Sequence, residues 1–160
     1  MGESYPVVIR LYTPGDAQAF HDLNMQWLTA YFHVERKDMA TLSDPRGMIL
    51  IPGGQIFVAD WNGKTVGCVA LLAMPNAAYE VAKMAVAPEA QGLGIGRRLL
   101  TAAIAWAREQ DALRLYLESN SSLAPALHLY ESVGFRHLAE EERTASSYAR
   151  ADVFMEILLG

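Results

Sequence analysis

The sequence has few of the features that mark secreted, membrane-bound or metal-clustered proteins. Cys68 is its only cysteine, which excludes an internal disulfide and any metal cluster built on cysteines. The longest uninterrupted apolar run, Cys68 to Pro75, is far shorter than the about 20 residues that a membrane-spanning helix needs. No basic segment precedes an apolar stretch at the N-terminus, so we expect no signal peptide. Together these absences predict a cytoplasmic protein with no membrane partner.

Positive charge is also scarce. The 160 residues include 13 Lys and Arg against 18 Asp and Glu, a net charge of −5. Nucleic-acid binding needs a concentrated basic surface, so we expect no nucleic-acid partner. The four histidines have no metal-ligand spacing, and we therefore predict no metal site.

Apolar patterning persists from end to end without a repeat or a linker, which predicts a single domain over residues 1–160. In the first half, Thr13 is expected to cap a helix that has Pro14 at its first position. Asn62-Gly63 is the preferred pair for a two-residue hairpin turn. The predicted elements are strands at 7–12, 55–61, 64–74 and 79–87, and a short helix at 36–43.

After Pro88 the pattern changes to helices that alternate with strands. The predicted elements are an amphipathic helix after Gly96, a strand at 113–118, a helix at 122–133 closed by Gly134, and strands at 135–138 and 151–159. The fold class is therefore α/β with a mixed sheet, in which an antiparallel N-terminal meander precedes a strand–helix–strand crossover.

A glycine-rich loop connects the predicted strand at 79–87 to the amphipathic helix. Gly92 and Gly94 let a ligand approach the backbone, and the helix N-terminus favours a phosphate there. The Gly-Lys-Ser/Thr of a P-loop is absent, and a dinucleotide fingerprint would need glycine where Arg97 stands. Glu118, at the end of the next strand, leaves a dehydrogenase as an alternative interpretation, although an antiparallel meander is the wrong start for that fold.

Two motifs resemble those of the GNAT superfamily of N-acetyltransferases. Gln91-Gly92-Leu93-Gly94-Ile95-Gly96 is similar to its Q/R-x-x-G-x-G/A cofactor motif, and residues 83–88 are similar to its central strand. The run Leu-His-Leu-Tyr-Glu-Ser-Val-Gly-Phe at 127–135 is similar to its "LYExxGF" element. The order of the elements agrees with this family over nearly the whole chain.

The resemblance implies a GNAT-like acyl-CoA N-acyltransferase fold that binds acetyl-CoA as acyl donor. Backbone N–H groups would hold the CoA pyrophosphate, at Gln91, Gly92, Leu93, Gly94, Ile95, Gly96 and Arg97. The pantetheine arm would lie along Met84, Ala85 and Val86 like an added strand, where a backbone N–H would polarise the acetyl carbonyl. Asn120 is the expected pantetheine contact. Many members have asparagine where this chain has Leu123, and Asn120 or Ser122 would replace that contact. Dimers are common in the family, so a homodimer is also expected.

Tyr130 and Glu80 are the candidate catalytic residues. A phenol with a pKa of about 10 suits protonation of a departing thiolate, although a tyrosine ring at this position could equally pack in the core. Glu80 would be the general base and would share a face with Ala82, Met84 and Val86 if its strand is regular. An exposed strand-end carboxylate is the other interpretation, and Glu118 is the reserve candidate.

The leading hypothesis is transfer of the acetyl group to a primary amine by direct attack in a ternary complex. The acceptor is unidentified and could be a small molecule or a peptide. The alternative is a non-catalytic acetyl-CoA-binding sensor or partner-binding module. Arg150 could bind a substrate carboxylate or be an ordinary surface arginine, and Cys68 is expected to be buried and inert.

Overall fold

The computed structural model describes residues 6–160, and within them seven strands form one sheet in the order β1-β2-β3-β4-β5-β7-β6. Neighbouring strands are antiparallel except for β4 and β5, which are parallel. The strands are β1 (Val8–Leu11), β2 (Gln55–Trp61), β3 (Lys64–Met74), β4 (Ala78–Val86), β5 (Arg114–Ser119), β6 (Arg136–His137) and β7 (Val153–Leu158). This mixed sheet confirms the predicted fold class.

Four α-helices accompany the sheet in the described part of the chain. They are α1 (Ala17–Tyr31), α2 (Arg36–Ser43), α3 (Ile95–Glu109) and α4 (Ala124–Ser132). Helices α1 and α3 cover opposite faces, as two consecutive residues of β3 show. The Asn24 amide of α1 donates to the Cys68 thiol, whereas a Cβ at Gly67 would lie 3.0 Å from Ile95 of α3. None of these helices is long and apolar enough to cross a membrane.

Local signals place most boundaries within two residues of the prediction. Asn62 and Gly63 both have positive φ in the β2–β3 hairpin, and α2 has the predicted bounds. A 3₁₀ turn, Pro14–Asp16, separates Thr13 from the start of α1. The π-helical turn Arg46–Leu50 has no counterpart in the predicted elements.

Strands β4 and β5 pair over only four residues, from Ala78 opposite Arg114 to Val81 opposite Leu117. Just beyond, β4 contains a bulge. Lys83 and Met84 together fill the space opposite one residue of β3, and Lys83 has a left-handed φ of 56°. The two parallel strands therefore separate where β4 bends.

The bulge corrects one expectation about β4. Ala82 pairs with Ala70 and Ala85 pairs with Cys68, so Ala85 takes the face that a regular strand would give to Met84. Glu80 accordingly shares its face with Ala82 and Ala85 and not with Met84 and Val86. The reason is the extra residue, which reverses the side-chain alternation beyond it.

Candidate active site

A cavity of about 110 Å³ opens where β4 and β5 separate. It is enclosed by β4, the end of β5, α1, α4 and the segment before β7. Its lining includes three of the predicted site residues, Glu80, Met84 and Tyr130, and a fourth, Asn120, in the turn after β5. The remaining lining residues are Asn24, Trp27, Leu28, Phe32, Val81, Ala82, Lys83, Glu118, Ser119, Leu123, Tyr148, Arg150 and Ala151. Residues far apart in the sequence thus meet in one chemical environment.

The glycine loop lies at the far end of β4 and does not line this cavity. Gly92 and Gly94 have φ values of 85° and 75°, and a Cβ at either position would meet nothing within 4 Å. Within the described residues, the N–H groups of residues 92–97 donate to no backbone carbonyl. An open concave backbone with unpaired donors at a helix N-terminus is suited to a phosphate or pyrophosphate.

The residues at the end of this loop make different contacts. Ile95 is buried in the core, so only its backbone faces the loop. Gly96 allows α3 to approach α4, because a Cβ there would lie 3.1 Å from Leu129. Arg97 is exposed and donates to the Ser132 hydroxyl at 2.7 Å, and Arg98 donates to the Val7 carbonyl at 2.7 Å. Arg97 therefore lies beside the loop, whereas Arg98 is held at β1.

Between the cavity and the loop, β4 has an edge that β5 does not cover. The pairing with β5 ends at Val81, so the segment containing Met84, Ala85 and Val86 has no partner on that side. An extended ligand could add to this edge in the way that a strand does. The structure thus places the predicted pantetheine segment directly between the cavity and the predicted pyrophosphate site.

Tyr130 combines a packed ring with an unpaired hydroxyl. Its ring makes an edge-on contact with Phe135, with centroids 6.1 Å apart. Its hydroxyl has no hydrogen-bond partner among residues 6–160, although the residue lines the cavity. Burial raises its pKa to about 12, which keeps the phenol protonated at physiological pH. The hydroxyl is therefore available as a donor to a group in the cavity.

Two carboxylates face the cavity, and they differ in their partners. Glu80 makes no side-chain hydrogen bond with any described residue. Burial, and then the charge of Glu118, raise the pKa of Glu80 above its usual value. Glu118 instead accepts hydrogen bonds from the hydroxyls of Tyr116 at 2.8 Å and Ser146 at 2.5 Å. Glu80 is thus the carboxylate better suited to accept a proton.

Asn120 lines the cavity, but both ends of its amide are already used within the protein. Its nitrogen donates to the Arg150 carbonyl at 2.6 Å, and its oxygen accepts from the backbone and hydroxyl of Ser122. These bonds hold the turn after β5 against the segment before β7. One N–H of the amide is left for a pantetheine contact.

A buried charge network that the sequence analysis missed forms one wall of the cavity. Asp38 of α2 is fully buried; it accepts from Lys83 and, at 2.7 and 2.9 Å, from both terminal nitrogens of Arg150. Arg150 also donates to Glu35 at 3.1 Å. Burial acts to raise the pKa of Asp38, but hydrogen bonds from Arg150 and Lys83 outweigh it and bring the pKa to about 2. Arg150 is therefore not an ordinary surface arginine.

The contact between Glu35 and Asp38 could be predicted from the sequence, whereas the long-range contacts of Asp38 could not. Glu35 and Asp38 have the spacing of a capping box, and the Glu35 N–H does donate to Asp38 at 2.9 Å. No local pattern links Asp38 to Lys83 or to Arg150, which lie 45 and 112 residues away. These contacts exist only in the folded chain.

Cys68 is buried, and burial raises the pKa of its thiol to about 12. It therefore remains a protonated and inaccessible thiol, as the sequence indicated. Within residues 6–160, no group of three or more His, Cys, Asp or Glu side chains could hold a metal ion.

Fold and motifs together define a family of acyl-CoA-dependent enzymes. Residues 18–135 match the model of the Acetyltransferase (GNAT) family. Because this match covers well over half of the chain, the protein belongs to the GNAT family of acetyltransferases. The family and the fold expected from the glycine loop and the "LYExxGF"-like element are confirmed.

Individual relatives extend this comparison. A mycothiol acetyltransferase of Acidothermus cellulolyticus is 31% identical over 148 residues, which are 82% of this chain and 45% of the relative. The chain spans about half the length of the mycothiol acetyltransferases that it matches. The N-alpha-acetyltransferase RimI of Mycobacterium tuberculosis is 31% identical over 151 residues, 88% of this chain and 85% of RimI. YncA of Salmonella typhimurium, solved with its cofactor acetyl-CoA, has the same fold, with a TM-score of 0.74, 22% identity and coverage of 97% of this chain and 95% of YncA.

Replacing Lys83 with methionine tests the contribution of the charge network to stability. Lys83→Met removes one of two cationic partners of Asp38 and leaves Arg150 in place. We expect the free energy of unfolding in urea to fall by about 1–3 kcal/mol. Lys64→Met, at an exposed strand position, is the matched control and should change it by less than about 0.5 kcal/mol. Equal effects of the two substitutions would show that the buried ion pair does not stabilise the fold.

Proposed function

We propose that this protein transfers the acetyl group of acetyl-CoA to a primary amine. The observation that carries the proposal is the continuity of β4. One strand runs from a cavity with an unpaired phenol and an unpaired carboxylate, along an uncovered edge, into a loop of unpaired N–H groups. A ligand with an acyl thioester at one end and a pyrophosphate at the other would match this arrangement along its whole length.

The binding roles follow from that arrangement. The N–H groups of Gly92, Leu93, Gly94, Ile95, Gly96 and Arg97 would hold the pyrophosphate, with Arg97 adding positive charge beside it. The N–H of Gln91, which was also expected there, donates to the Pro88 carbonyl at 3.3 Å and would have to exchange this bond. The uncovered edge of β4 at Met84, Ala85 and Val86 would pair with the pantetheine amides. Asn120 is proposed as a further contact, through the second N–H of its amide.

The chemistry divides between three groups of the protein. Glu80 would take a proton from the acceptor ammonium, directly or through water, so that the neutral amine can attack. A backbone N–H of Ala85 or Val86 would stabilise the carbonyl oxygen as it becomes negative. As the C–N bond forms and the C–S bond breaks, Tyr130 would give its proton to the departing thiolate. The raised pKa keeps Tyr130 protonated at physiological pH, although it also makes the phenol a weaker acid than an ordinary tyrosine.

Two named relatives bear on the acceptor. One is a mycothiol acetyltransferase, named after a small molecule, and the other is an N-alpha-acetyltransferase. We therefore keep both a small molecule and a peptide N-terminus as acceptor classes. We continue to predict a single domain over residues 1–160, a cytoplasmic location and a homodimer. We also predict that the protein binds neither a metal nor nucleic acid.

A substitution in the glycine loop tests the proposed cofactor site. Gly94→Ala places a methyl group where the pyrophosphate would approach the backbone, so we expect the Kd for acetyl-CoA to rise at least about tenfold. Gly63→Ala is the matched control, because Gly63 has the same φ of 75° and equally open surroundings in the remote β2–β3 hairpin. Both variants carry similar backbone strain of about 1–2 kcal/mol. Calorimetric titration with acetyl-CoA would measure the difference, and equal affinities would exclude the loop as the site.

The hydroxyl of Tyr130 is expected to matter for turnover and not for stability. Tyr130→Phe keeps the ring contact with Phe135 and removes only the proton donor. We expect kcat to fall by about 100-fold, a typical contribution of general acid catalysis, with little change in melting temperature. Tyr79→Phe, which keeps an edge-on contact with Trp106 on another part of the sheet, is the control. Undiminished turnover of an amine panel by Tyr130→Phe would remove the donor role, and acetyl-CoA binding without any turnover in the wild type would favour the non-catalytic module.

The pH dependence of the reaction tests Glu80. A general base works only when deprotonated, so kcat/KM should fall as the pH drops through the raised pKa of Glu80. That acidic limb should lie above the pH at which an ordinary glutamate titrates. In Glu80→Gln the rate should be lower above that pKa, approach the wild-type rate below it, and show no such limb. A limb that persists unchanged in Glu80→Gln would assign it to another group.

A further inference from the structure

The cavity contains two cationic side chains, and neither of them is available to a substrate. Lys83 and Arg150 line it, but their side chains are only 6% and 18% exposed. Lys83 is bound to Asp38, and Arg150 is bound to Asp38 and Glu35. Two positive charges are thus balanced by two negative charges inside the protein. A substrate carboxylate that approached either cation would therefore meet a charge that Asp38 and Glu35 already neutralise.

The remaining polar groups of the cavity are suited to an ammonium group. Glu80 has no hydrogen-bond partner among the described residues, and Glu118 accepts only from two neutral hydroxyls. Trp27 adds an aromatic face, whereas the ring of Phe32 already has the Arg150 guanidinium 5.9 Å from its centroid. Carboxylates and aromatic faces both attract a cation. The nearby cation Lys37 does not line the cavity; its ammonium donates to the Ser147 hydroxyl and acts on Glu80 only through its charge.

We propose that Asp38 determines the acceptor specificity of this site. By binding Lys83 and Arg150, it leaves the cavity without a cation for a substrate carboxylate, so the enzyme accepts amines whose reacting nitrogen has no free carboxylate beside it. This inference depends on the proposed acetyltransferase function and narrows its acceptor class. Simple amines and peptide N-termini belong to that class, whereas free α-amino acids do not. In a free amino acid, the carboxylate next to the amine would lie close to Glu80 and Glu118, while Lys83 and Arg150 are already neutralised by Asp38 and Glu35.

Two matched series of acceptors test whether a carboxylate beside the amine prevents acetylation. The first is 2-phenylethylamine, phenylalaninamide and phenylalanine, and the second is pentylamine, norleucinamide and norleucine. Within each series the amide has nearly the size of the amino acid but lacks its negative charge, so it separates charge from bulk. With the wild-type protein and acetyl-CoA, we expect the amine and the amide to be acetylated in at least one series. The amino acid should react at least about tenfold more slowly than its amide, the loss that one unmatched charged hydrogen bond produces.

Substitution of Asp38 tests the assignment to this residue. Asp38→Asn leaves Lys83 and Arg150 with one negative partner fewer, so the ratio of amide to amino-acid rates should shrink by about tenfold. Asp16→Asn is the matched control. Asp16 is also a buried aspartate at a helix start, paired with Arg10 at 2.8 Å, but it does not line the cavity. The control reproduces the loss of a buried ion pair and should leave the ratio unchanged.

If Asp38→Asn does not fold, Glu35→Gln gives a second measurement, because Glu35 binds Arg150 from a half-buried position. It should shift the ratio in the same direction by a smaller factor. Equal rates for amide and amino acid, no acetylation in either series, or ratios that move no more than in Asp16→Asn would each overturn the inference. Thermal stabilisation by acetyl-CoA would show, in those cases, whether the proposed cofactor binding still stands. Loss of that stabilisation as well would mean that the proposed function itself is wrong.

Discussion

The early separation of β4 from β5 is the constraint on which the rest of the site depends. Only four residue pairs join the two parallel strands before the bulge at Lys83 and Met84 bends β4 away. The gap creates the cavity, and the bend leaves one edge of β4 uncovered. β4 leads from the cavity directly into the glycine loop. The bulge in this strand therefore influences both the cavity and the path from the cavity to the loop. A regular parallel pair would close the cavity and cover the edge at the same time.

The bulge is held by charge as well as by the sheet. Lys83 has a left-handed backbone, which a residue with a side chain seldom adopts, and its ammonium is bound to buried Asp38. Asp38 also holds Arg150, so α2, β4 and the segment before β7 meet at one carboxylate. The same side chain thus supports the shape of the cavity and neutralises two cations that line it. Fold and proposed specificity have a common physical origin there.

The sequence predicted what local signals determine. Asn62-Gly63, the Thr13-Pro14 start and Gly134 mark turns and helix ends because each residue type favours the required backbone conformation, and the structure has those turns where they were expected. The glycine loop was also recognisable, since its chemistry lies in consecutive backbone groups. The bulge was not recognisable, because lysine gives no signal for a positive φ. The residues predicted to share a face with Glu80 were therefore wrong beyond Ala82. The Asp38 network joins residues too far apart in the sequence for any periodic pattern to connect them.

The most direct test of this account is a crystal structure of the protein with bound CoA. We predict that the pyrophosphate oxygens lie within hydrogen-bond distance, about 2.7–3.2 Å, of N–H groups in residues 92–97. The pantetheine should follow the uncovered edge of β4, and the thiol should enter the cavity beside the Tyr130 hydroxyl. A complex in which CoA binds elsewhere, or in which the thiol lies outside the gap between β4 and β5, would contradict the account.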